Sequence, residues 1–133
     1  MHLNQHGSFA LQVHGDVLLC HIQGDWNDVA VRNLRREAAQ AWQPLRQRRW
    51  GLLLDAQAWG AATPEARHDW EHGFEGDALD AGMACMAAVL PSNFHRQMVR
   101  DHTARLAARC AYQPSPDLAA AWAWLAAQGL RIG

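Results

Sequence analysis

Trp50-Gly51-Leu52-Leu53-Leu54-Asp55 is a short unbroken apolar run between the arginine-rich residues 46–49 and a turn-like segment that opens at Asp55. A run this short, apolar at both alternating positions, fits a strand buried on both faces, as in the middle of a parallel sheet. A second such run, Met83-Ala84-Cys85-Met86-Ala87-Ala88-Val89-Leu90, follows one helix length later. The rest of the chain reads as cover for these two strands.

Upstream, residues 8–13 alternate in the manner of a strand. His14-Gly15-Asp16 is a turn signal, and residues 17–23 form a second strand. Two runs joined this tightly predict an antiparallel hairpin. Gly24-Asp25-Trp26-Asn27-Asp28 then breaks the pattern and caps a helix. Val31, Leu34, Ala38, Ala41, Trp42 and Leu45 fall at helical spacing, with Arg32, Arg35 and Arg36 mainly on the other side.

Downstream, Thr63-Pro64-Glu65 starts a helix, with Thr as N-cap, Pro in the first turn and an acid beside it. Trp70 and Phe74 form its apolar stripe, and Gly73 and Gly76 weaken it. Gly82 closes it before the strand at 83–90. Pro91 ends that strand, and Ser92 caps a helix expected to run to about Cys110, with Phe94, Met98, Leu106 and Cys110 inward. Ala111-Tyr112-Gln113 is a short edge strand. Ser115-Pro116-Asp117 opens a last helix that Gly129 terminates. Alternating strands and helices after a hairpin predict an α/β fold, a mixed sheet of about four or five strands with about four helices and right-handed crossovers.

The chain has 133 residues, enough for one domain over 1–133 with its own core. Half of it is apolar and 19% is charged, so disorder is not expected. The net charge is −1, which gives no general pull toward nucleic acid and favours self-association. All 12 basic residues are Arg, so no lysine is present for Schiff-base chemistry. No apolar run approaches membrane-spanning length, and the polar residues 1–7 lack the pattern of a secretory signal. Three dispersed cysteines, Cys20, Cys85 and Cys110, point to reduced thiols and a cytoplasmic setting. Seven Trp are many for this length, and fit a Trp-rich core and interface or an aromatic-lined pocket.

Three features together carry a family resemblance: the opening hairpin followed by a helix, the strand Gly51-Leu52-Leu53-Leu54-Asp55, and the tail Tyr112 to Asp117-Leu118-Ala119-Ala120-Ala121-Trp122-Ala123-Trp124-Leu125. The chain resembles the STAS domain of anti-anti-sigma factors, and more closely the bacterial STAS-like relatives often grouped with the Sec14-type lipid-binding fold. The resemblance covers nearly the whole chain and implies a single STAS-like domain. In anti-anti-sigma factors the loop after the central strand carries an Asp-Ser-x-Gly element whose Ser is phosphorylated. Here that loop reads Asp55-Ala56-Gln57-Ala58-Trp59-Gly60-Ala61-Ala62-Thr63-Pro64, without Ser, and Thr63 serves as an N-cap. A phosphoregulated anti-sigma antagonist is therefore disfavoured.

In open parallel sheets, ligands sit outside the carboxyl ends of the strands. Those ends present Asp25 and Trp26, then Asp55 and Trp59, then Ser92, Asn93 and His95, and these are the candidate ligand-binding residues. His68 and His72, one turn apart on one helix, are a candidate metal pair that lacks further ligands. No catalytic signature, glycine-rich phosphate loop or cofactor motif is present. The expected function is a non-catalytic binding or regulatory module that associates with a protein partner or with itself as a homodimer and holds a small apolar ligand. The alternative is a small enzyme using residues at the carboxyl edge of the sheet.

Overall fold

The computed structural model describes residues 4–46 and 48–133. The start of the polar N-terminal stretch and Gln47 of the arginine-rich segment lie outside the described residues.

The turn His14–Val17 closes a hairpin between β1 (Ser8–His14) and β2 (Val17–Trp26), in register from Ser8 opposite Gln23 to His14 opposite Val17. Gly15 takes φ +60 and its Cα faces the Arg131 carbonyl, which leaves no room for a Cβ. The buried Asp16 beside it accepts from the Arg131 backbone N–H at 3.0 Å and from its guanidinium at 3.0 Å, which clamps the end of the chain onto the hairpin. Arg131 holds the Asp16 carboxyl below its ordinary range.

Asn27 caps α1 (Asp28–Ala41) by accepting from the Ala30 N–H, so the cap lies two residues beyond Asp25. Ala30, Val31, Leu34 and Ala38 of α1 are buried against the sheet. A single 3-10 turn, Gln43–Leu45, leads to β3 (Trp50–Ala62). β4 is Met83–Val89 and β5 is Ala111–Pro114. The sheet order is β1-β2-β3-β4-β5, antiparallel in the first pair and parallel in the rest.

Parallel strands laid down in sequence, each joined by a right-handed crossover, put all the crossover helices on one face. Here that face carries α1, the helical segment α2 (Pro64–His68) to α3 (Gly76–Asp80), and α4 (Asn93–Met98) with α5 (Arg100–Ala107). Leu18, Cys20, Leu52, Leu54 and Met86 fill the core beneath them. The opposite face is left to α6 (Leu118–Ala127), whose Ala121 and Leu125 pack on Val17, Leu19, Leu53, Cys85 and Ala87. The β3 run is thus buried on both sides, Leu52 and Leu54 toward one core and Leu53 toward the other. Gly51 sits where a Cβ would meet the Leu130 side chain at 2.7 Å and Cys85 Sγ at 2.9 Å.

Three elements differ from the sequence reading. β3 does not stop at Asp55 but continues to Ala62, because β2 runs beside it as far as Trp26 and two register shifts let the pair curl. The helix after Thr63 widens into a π-helical stretch, Asp69–Glu75, between α2 and α3. The helix after Ser92 breaks at Val99 into α4 and α5, and Phe94, expected inward, is 72% exposed. α4 is short and meets the sheet through His95 instead. The three cysteines are free, and burial pushes the Cys20 thiol up to about 12. Among the described residues no helix is long and apolar enough to cross a membrane.

Candidate ligand cleft

Between the crossover face of the sheet and the helices lies a cavity of about 80 Å³. One water needs roughly 10–15 Å³ on the same measure, so the cavity has room for a small organic group. Ile22, Leu54, Met86 and Ala88 form its floor. Val99, Thr103 and Leu106 form the α5 side, and Trp26, Trp59, Trp70 and Tyr112 supply aromatic walls. Trp26 and Trp70 stand edge to face with centroids 6.1 Å apart.

One buried charged side chain faces this space. Glu75 is 3% exposed, accepts the Trp70 indole N–H at 2.8 Å on Oε2, and lies 2.7 Å from His102 Nε2 through Oε1. Trp70 and Glu75 are five residues apart. In an α-helix that spacing turns side chains away from each other, whereas a π-helical turn bonds residues five apart and stacks them. The π segment is therefore what aims Glu75 into the cleft beside Trp70. Tyr112 belongs to the parallel edge strand β5, and its phenol is pushed up to about 12, by burial first and then by the Glu75 charge.

The carboxyl-edge residues separate into distinct groups. Trp26 and Trp59 line the cleft. His95 lies against Trp59 with centroids 5.2 Å apart and reaches the Gly60 carbonyl at 2.7 Å. That carbonyl can only accept, so His95 carries its proton on Nε2, and Nδ1 takes the Ser92 hydroxyl at 2.8 Å. Ser92 also caps α4 by accepting the His95 N–H, and Asn93 accepts weakly from Arg96 at 3.4 Å. Asp25 does not reach the cleft but accepts the Ala61 N–H at 3.0 Å, bracing the far end of β3.

Asp55 points to the opposite face. Its Oδ2 is 2.7 Å from His21 Nδ1, across the β2–β3 pair, and its Oδ1 accepts from the Gln57 backbone and side chain. Burial pushes the Asp55 carboxyl up, but the bonds from Gln57 and His21 outweigh it and hold it below its ordinary range. This pair fixes the half-exposed His21 imidazole on the face of the sheet opposite the cleft. The His68 and His72 rings lie tilted against each other with centroids 4.5 Å apart, and among the described residues no group of three or more metal-ligating side chains surrounds them or any other point.

Sequence reasoning missed Glu75, His102 and Tyr112 as one cluster. A signal was present in the five-residue spacing of Trp70 and Glu75, with Glu75 placed directly after the inward Phe74 in a glycine-weakened helix.

No family model matches the chain, and no curated protein matches it. Among solved structures it is similar to an uncharacterized protein of the DUF3478 family with a SpoIIAA-like fold from Shewanella loihica PV-4. The two share 13% identity with a TM-score of 0.66, over 91% of this chain and 94% of that one. Shared strand order at so low an identity speaks for architecture alone, and by that architecture the chain has a STAS-type, SpoIIAA-like fold.

Proposed function

We propose that this protein is a non-catalytic binding module whose cleft between the sheet and α2–α5 holds a small, largely apolar ligand. The supporting observation is a preformed hydrocarbon-walled cavity with a single buried carboxylate set among aromatic rings, the usual composition of a ligand site. Trp26 and Trp59 act as walls of that site, and Ser92 and His95 hold α4 beside it. The regulatory part of the reading is that occupancy changes the surface α4 offers to a protein partner or to a second copy.

Native mass spectrometry tests it. The purified protein is expected to carry a non-covalent adduct that disappears on denaturation. In Thr103→Phe, which fills the cleft from α5, the adduct is expected to be lost while the fold is retained. A bare wild-type mass, together with indole fluorescence that no apolar probe shifts, would remove the proposal.

A further inference from the structure

The hydrogen-bond inventory of the cleft is lopsided. Its indole and threonine donors are consumed by the protein itself. Trp26 gives its indole N–H to the Gln23 carbonyl at 3.0 Å, and Trp59 gives its own to the Ala61 carbonyl at 3.2 Å. Trp70 bonds Glu75, and Thr103 gives its hydroxyl to the Arg100 carbonyl at 3.1 Å. With their N–H ends tied back, the three indoles offer the cavity ring surface, whose π-faces carry negative potential. Glu75 is the opposite case. Trp70 and His102 take one lone pair on each oxygen, and each oxygen keeps a second. Arg67 lies at the rim, exposed, and donates to the Met98 carbonyl at 3.2 Å.

Spare acceptors and electron-rich ring faces are what a cation requires, and the uncommitted donors beside them are the Tyr112 hydroxyl, the second ring nitrogen of His102 and the remaining N–H groups of Arg67 at the rim. A carboxylate ligand would meet the Glu75 charge with little to bind it inside, and a neutral donor such as a hydroxyl would use one acceptor without balancing that charge. We propose that the cleft selects a small organic ammonium ion carried on an apolar body, a specificity that rests on the cleft reading above. The ammonium group sits against Glu75 and the faces of Trp70 and Tyr112, and the apolar body lies on Leu54, Met86 and Ala88. Aromatic walls closed by a carboxylate recognise alkylammonium groups by this same combination of charge and ring quadrupole.

Three probes with the same chain, hexan-1-amine, hexan-1-ol and hexanoate, titrated at about pH 7 where the amine is protonated, separate the outcomes by tryptophan fluorescence. The amine is expected to bind at least about tenfold more tightly than the alcohol, with hexanoate weakest. In Glu75→Gln the advantage of the amine over the alcohol is expected to collapse while the alcohol still binds. Equal affinity for amine and alcohol, or an advantage that survives Glu75→Gln, overturns the ammonium assignment and leaves the cleft reading standing. Tightest binding of hexanoate overturns it in favour of Arg67 at the rim. Silence of all three probes overturns both readings. Should Glu75→Gln fail to fold, the order of the three probes on the wild type decides alone.

Discussion

The indole nitrogen of Trp70 lies 2.8 Å from Oε2 of Glu75, five residues later in the same π-helical stretch. That bond is the structural reason a carboxylate can be kept out of water here, since a buried acceptor without a partner is costly. Trp70→Phe keeps an aromatic ring against Phe74 but strands Oε2. It is expected to destabilise the protein by about 1–3 kcal/mol. A urea unfolding curve with an unchanged midpoint would mean that water replaces the indole and that the site is wetter than its walls imply.

Tyr112 is the one tyrosine of the chain, so phenolate absorbance reads this residue without interference. Burial and the Glu75 charge push it up to about 12. The absorbance is expected to stay flat through the ordinary tyrosine range near ~10 and to rise only toward the upper value. Glu75→Gln removes the second of the two causes and is expected to bring the rise to lower pH. A wild-type midpoint near ~10 with the fold intact would place the hydroxyl in bulk water.

Asp16 ties the hairpin turn to Arg131 near the far end of the chain. Arg131 holds its carboxyl below the unfolded value, which is about 3.9. The stabilisation from this clamp is therefore fully present above that pH and is lost as the pH falls through the folded-state value. Asp28, Asp55 and Glu71 are also held low and set a common background slope. The melting midpoint of Asp16→Asn is expected to be lower than wild type near neutrality and to fall less steeply below about pH 4. Parallel curves would take Asp16 out of the acid response.

Leu53 is fully buried on the α6 face of β3. Leu53→Asp puts an unpaired charge into that core, a cost well above about 4 kcal/mol, comparable with the whole stability of a small domain. Circular dichroism is expected to show loss of the folded state. Leu53→Ala, which leaves a cavity, is expected to fold with a loss of about 2–5 kcal/mol. A soluble aspartate variant melting cooperatively near the wild-type midpoint would contradict a strand covered on both sides.

Local chemistry made much of this fold legible. The apolar run at Trp50 and the run at Met83 are strands 3 and 4, since a segment covered on both faces must be apolar at every position. Thr63 and Ser92 cap their helices because an N-cap needs only a side-chain oxygen within reach of an N–H three residues on, and the last helix takes Asp117 as its cap, two residues later than a Ser-Pro-acid start would place it. Of the residues read at the carboxyl edge, Trp26 and Trp59 line the cleft. The carboxyl-edge rule failed for Asp55 because β3 runs seven residues past it, to Ala62, so Asp55 lies within the strand and its side chain falls on the α6 face.

What the sequence alone determined is therefore what near neighbours decide: which segments are strands, where helices begin, and that hairpin and parallel crossovers share one sheet. Tertiary structure decided the site. Glu75 and His102 are 27 residues apart on different helices, and Tyr112 comes from a third element. Their meeting depends on a π-helical register, on the break at Val99 and on all the crossovers falling to one side of the sheet. Only the first leaves a trace in local spacing, the five residues between Trp70 and Glu75. Each follows from how backbone hydrogen bonds and packed faces settle together, and so Glu75 ends buried between the Trp70 indole and His102.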